Sequence, residues 1–104
     1  MKIGDRVGAI ASIEDNIAYF YGYGTYEGMV IPNHDKNRYT MADFNRDNKT
    51  KNHLIKLDDG GIVYGCECWW GTRDKIRERL SNCEEVRMVS INEELKELEE
   101  LNNG

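Results

Sequence analysis

The segment Asp58-Asp59-Gly60-Gly61 stands between two runs, residues 53–57 and 62–70, that are rich in β-branched and aromatic side chains. Glycine supplies the positive φ that a tight hairpin turn needs, so this segment commits the middle of the chain to an antiparallel strand pair. The rest of the sequence has to be compatible with a sheet that contains that pair. Upstream, Val7, Ala9, Ala11 and Ile13 alternate with Arg6, Gly8 and Ser12, the period of two of a half-buried strand. Glu14-Asp15-Asn16 reads as a turn, and residues 17–23 read as a central strand, apolar on both faces. Met29-Val30-Ile31 forms a short extended piece that ends at Pro32.

Helical signals come later. Thr72 has the chemistry of an N-cap, with Asp74 in the first turn, and Ile76, Leu80 and Cys83 form the buried stripe. Residues 86–91 read as a last strand. Ser90 and Glu93 have capping-box spacing before a final acidic helix over residues 92–102, where Leu95, Leu98 and Leu101 share one side. The expected fold is α+β: one domain over residues 1–104, built on a small, mostly antiparallel, curled sheet of about five strands with two short helices. Ile3-Gly4-Asp5-Arg6-Val7 has the character of the opening of an SH3-like barrel. Residues 33–52 interrupt the pattern with a polar, irregular loop. A loop of that length in a small domain is either functional or a surface excursion, and the sequence supports both readings.

Bulk chemistry narrows the function classes. With a formal net charge of −5, duplex nucleic acid is not an expected partner, because phosphate neutralisation needs a basic face. Much of the negative charge lies in Glu93, Glu94, Glu97, Glu99 and Glu100, which leaves the remainder near neutral and able to hold a local anion. No apolar run approaches the roughly 20 residues of a membrane span. The first residues lack the apolar core of a signal peptide, so a cytoplasmic location is expected. Three cysteines do not make a disulfide framework.

Two segments concentrate the chemistry. Gly22-Tyr23-Gly24-Thr25-Tyr26-Glu27-Gly28 holds three glycines where a backbone can approach a ligand, with Tyr23 and Tyr26 offering flat faces and hydroxyls. A bulged strand end with packed tyrosines is the plainer reading. Gly65-Cys66-Glu67-Cys68-Trp69-Trp70-Gly71-Thr72 contains both tryptophans at adjacent positions. On a strand they point to opposite faces, so one of them is expected at a surface or a site. The segment runs into a helix start, where free N–H groups favour anions, and Arg73, Lys75, Arg77 and Arg79 add positive charge. Stacking faces beside an anion site suit a nucleotide. The plainer alternative is core tryptophans and a solvated helix face. Cys66 and Cys68 stand alone as a Cys-x-Cys pair without a second knuckle, a poor match to structural zinc spacing. Glu67 is the one candidate general acid or base, and no Ser/His/Asp or Cys/His arrangement accompanies it. Neither a catalytic role nor a cofactor is therefore expected.

With these segments, in the order Gly4-Asp5-Arg6-Val7, Gly22-Tyr23-Gly24-Thr25-Tyr26-Glu27-Gly28, Leu57-Asp58-Asp59-Gly60 and Gly65-Cys66-Glu67-Cys68-Trp69-Trp70-Gly71, the chain resembles a family of small phage and prophage proteins. The Cys-Glu-Cys-Trp-Trp-Gly run is the specific part, and the polar loop is longer and richer in lysine and asparagine than the family pattern. The resemblance implies an anti-defence sponge, a homo-oligomer that sequesters a nucleotide-derived immune signal such as the cyclic ADP-ribose derivatives of Thoeris or the cyclic oligonucleotides of CBASS. It implies that Tyr23, Tyr26, Trp69 and Trp70 hold base and ribose and that Gly24 admits the ligand. Gly71, Thr72 and Arg73 would then hold phosphates, and Glu67 would accept from ribose hydroxyls. Two other readings compete: a protein–protein interaction module working through the acidic helix and the long loop, and a small nucleotide-degrading enzyme using Glu67.

Overall fold

The computed structural model describes residues 1–31, 51–91 and Glu93. Residues 33–50 of the polar loop and all but Glu93 of the expected acidic helix lie outside the described residues. Six strands form one sheet: β1 (Arg6–Glu14), β2 (Ile17–Val30), β3 (Asn52–Leu57), β4 (Ile62–Tyr64), β5 (Trp69–Thr72) and β6 (Glu85–Met88). One helix, α1 (Arg73–Ser81), lies between β5 and β6, and a 3₁₀ turn, Gly65–Glu67, lies between β4 and β5. The strand order is β4-β3-β2-β1-β5, all antiparallel, and β6 joins β2 in parallel, off this path. The expected α+β class and mostly antiparallel sheet are present, with six strands among the described residues. Among the described residues the path is open, and no helix is long and apolar enough to cross a membrane.

The β1–β2 hairpin is closed by Asp15 and Asn16, both at positive φ (52° and 62°), the signature of a two-residue type I′ turn. The strand expected to end near Tyr23 continues through 14 residues and takes in Met29 and Val30, because β3 extends the ladder along its second half. Asn52, expected in the loop, is the first residue of β3 and pairs with Val30. Within the hairpin, Ala9 faces Gly22, Ile10 faces Phe20 and Ser12 faces Tyr19, so Tyr21 and Ala11 are extra residues on their strands. These bulges break the in–out alternation, and Gly22, at φ +125°, takes the bend.

The middle of β1 and of β2 is buried on both faces, whereas β6 is exposed along its length. Val7, Ala9, Tyr21, Tyr26, Ile55, Leu57, Val63 and Ile91 form one cluster, while Ile10, Phe20 and Ile76 form a second beneath α1. The helix starts at Thr72, whose Oγ1 accepts the Lys75 N–H at 3.4 Å, as its N-cap chemistry predicts.

The single strand expected over residues 62–70 is broken. After Tyr64 the chain turns through Gly65–Glu67, where a Glu67 carboxylate oxygen accepts the Tyr64 N–H at 3.2 Å, and then re-enters the sheet against β1. A strand running straight on from β4 could not reach the opposite edge of the sheet, so the turn lets one segment serve both edges. Cys68 follows the turn, and its thiol donates to the Tyr64 carbonyl at 3.5 Å. Burial, with help from the Glu67 charge, pushes this thiol up to about 12.

Three measurable consequences follow from this architecture. Gly24 sits where β3 crosses close by, and a Cβ there would come within 2.8 Å of Leu57 Cα. Gly24→Ala should therefore destabilise the fold by about 1–3 kcal/mol in chemical denaturation, as overpacking against backbone does. Glu67→Ala should cost roughly 1 kcal/mol by loss of the turn's hydrogen bond. Cys68 should resist alkylation at pH 8.5 while the protein is folded and become reactive in denaturant. Because its folded pKa lies above the unfolded value, the stability associated with its protonated form is present below about pH 9 and lost as pH rises toward 12.

Candidate functional site

The turn at Gly65–Glu67 delivers Trp69 and Trp70 onto β1, where Ala9 pairs with Trp70 and Ile10 pairs with Trp69. Alternation then sends the two indoles to opposite faces. Trp70 joins the first cluster. Its ring stacks on Tyr26 with centroids 5.6 Å apart and planes 5° from parallel, and it meets His53 at 4.6 Å. The Tyr26 hydroxyl and His53 Nδ1 are 2.8 Å apart, which gives this aromatic group an internal polar partner. Trp69 turns to the face that carries α1 and is 57% exposed. Its indole is therefore the large aromatic face that this side of the sheet leaves open to solvent.

The Arg79 guanidinium lies over the Trp69 ring, 4.4 Å from its centroid. Together they edge a cleft of about 390 Å³ between β5 and α1, lined by Trp70 and Gly71 from the strand and by Lys75, Ile76, Glu78 and Asn82 from the helix segment. Lys75 forms no ion pair among the described residues, so the cleft holds an uncommitted ammonium beside an aromatic face. The chemistry of this arrangement is an aromatic face, two cations and one carboxylate around the Ile76 side of the helix.

The residues singled out in the sequence are divided by the fold. Trp69, Trp70 and Gly71 line the cleft. Thr72 and Arg73 instead line a smaller depression of about 180 Å³ with Arg6 and Asp74. There Arg73 Nε approaches Asp74 at 3.7 Å, and Arg6 makes a two-pronged pair with Asp58 at 2.8 and 2.6 Å, holding the Asp58 carboxyl below its ordinary value. Tyr23 shares the α1 face and packs edge-on against Phe20 at 5.0 Å. Tyr26 is 6% exposed within the core, and Gly24 is buried against β3. Glu67 is engaged in the 3₁₀ turn. The two glycine–aromatic segments thus do not form one platform: Tyr26 and Trp70 sit on one side of the sheet, Tyr23 and Trp69 on the other.

Lys75 and Arg79 are expected from the sequence as positive charge on this helix, whereas Glu78 and Asn82 are not marked by it. The spacing of the four at i, i+3, i+4 and i+7 was the available signal, since it places all four on one side of a helix. What the spacing could not show is that this side lies against the exposed tryptophan. Among the described residues, no group of three or more His, Cys, Asp or Glu is arranged to hold a metal ion. Compared with protein-family models, with curated proteins and with solved structures, the chain matches none.

Proposed function

We propose that this protein binds and sequesters a nucleotide-derived signal, in the manner of a phage anti-defence sponge acting in the host cytoplasm, and that the Trp69–Arg79 cleft is its ligand site. The observation that carries the reading is the exposed Trp69 indole with a guanidinium 4.4 Å over its ring, beside the uncommitted Lys75 ammonium. A base takes the place of the Arg79 guanidinium on the indole, a contribution of about 1–3 kcal/mol per base in aromatic platforms, and frees that fork for the phosphates. Arg79 and Lys75 neutralise the phosphates, Arg79 through its planar fork and Lys75 as a point charge. The cleft volume lies within the roughly 300–1,000 Å³ range of small-molecule sites. Such a site supplies grip on the ground state, which is what sequestration requires, and turnover is not part of the proposal.

This reading moves the phosphate-holding role from Thr72 and Arg73 to Lys75 and Arg79.

Native mass spectrometry with cyclic ADP-ribose isomers and cyclic di- and trinucleotides tests the proposal. The expected result is an adduct of unaltered ligand mass that Trp69→Ala abolishes and Arg79→Ala weakens about tenfold, while both variants keep the wild-type circular dichroism. A ligand recovered with altered mass would identify an enzyme instead. Absence of any adduct at micromolar protein would remove the sponge reading.

A further inference from the structure

Glu78 lines the same cleft as Lys75 and Arg79, and among the described residues its carboxylate has no ion-pair partner, although cations stand before and after it on the helix. A cleft that only neutralised phosphate would gain nothing from a carboxylate at its wall, because like charges repel. A carboxylate accepts hydrogen bonds and donates none at neutral pH, so it suits a ligand edge that presents donors. The asymmetry between the bases is decisive here. The Watson–Crick edge of guanine presents two neighbouring donors, N1–H and the N2 amine, which a carboxylate can accept as a pair. Adenine offers one amine beside the N1 lone pair, which a carboxylate repels. With the base stacked on Trp69 and the phosphate drawn to Lys75, Glu78 is the ionic acceptor in the cleft available to a base edge.

We infer that the site selects guanine, with Glu78 as the specificity-determining residue and a guanine nucleotide as the ligand class. This inference rests on the nucleotide-binding role proposed for the cleft.

Calorimetric titration of the full chain with GMP, IMP and AMP, carried to millimolar concentration, tests both levels separately. IMP retains N1–H and lacks the N2 amine. The expected order is GMP tighter than IMP and IMP tighter than AMP, with roughly tenfold or more between GMP and AMP, the scale of one good paired contact to a base edge. Glu78→Gln should weaken GMP and strengthen AMP, so that the GMP preference disappears, because the amide no longer accepts both guanine donors and can both accept from the adenine amine and donate to N1. Equal binding of GMP and AMP by the wild-type protein, lost for both in Trp69→Ala, would overturn the guanine inference and leave the cleft reading standing. A GMP preference that persists in Glu78→Gln would overturn the role of Glu78. Binding of none of the three would overturn the nucleotide site itself and the inference with it.

Discussion

Strand β1 is the member on which the rest of the structure depends. It is hydrogen-bonded on both sides, to β2 and to β5, and the four consecutive residues Val7, Gly8, Ala9 and Ile10 are all buried. A strand buried on both faces can serve two cores, and this one does: Val7 and Ala9 pack with the aromatic cluster around Tyr26, while Ile10 packs beneath α1. Every position in the candidate site is fixed relative to this strand. Trp69 and Trp70 are opposed because they pair with neighbouring residues of β1, and α1 is held over the sheet because Ile76 docks beside Ile10 and Phe20. The short 3₁₀ turn before β5 is what makes that pairing reachable, since it carries the chain from β4, at one edge of the sheet, to β1 near the other.

This division gives the two tryptophans different physical roles. Trp70, stacked on Tyr26 and in contact with His53, contributes apolar area and a defined geometry to the core. Trp69 leaves more than half of its surface in solvent and is partnered by a cation. Rigidity on one side of β5 therefore backs exposure on the other, which suits a binding surface that has to keep its shape before the ligand arrives.

Much of this was legible in the sequence, and the failures have identifiable causes. The Asp58-Asp59-Gly60-Gly61 turn, the Thr72 cap, the extended conformation of β1 and the opposed tryptophans follow from local rules and are present, whereas the half-buried alternation expected of β1 gives way to four consecutive buried residues. The return strand was misread because period-two alternation continued through residues 62–70. The hydrogen bond from Tyr64 N–H to Glu67 that breaks it is a contact that periodicity does not report. The glycines of residues 22–28 suggested ligand approach, whereas Gly24 serves the close passage of β3 and Gly22 serves a bulge. Both uses need the same missing side chain, and only the neighbouring strand distinguishes them. Within the site, the sequence marked Trp69 and the positive helix but centred the anion on the helix start, because dipole and capping arguments favour that position. The fold instead lays the flank of the helix along the indole.

The placement of the cleft's charged groups on one short helix has a consequence for how the site comes and goes. A helix of nine residues is not stable in isolation, so α1 exists by virtue of its docking through Ile76 and Leu80. Lys75, Glu78 and Arg79 all ride on it, whereas the indole they face belongs to the sheet. On the binding role proposed for the cleft, lifting this one element would dismantle the site, and the free energy of that local opening would set the fraction of molecules competent to hold a ligand. A bound ligand that bridges indole and helix would in turn hold the helix down, so that occupancy would be recorded as slower amide exchange confined to α1.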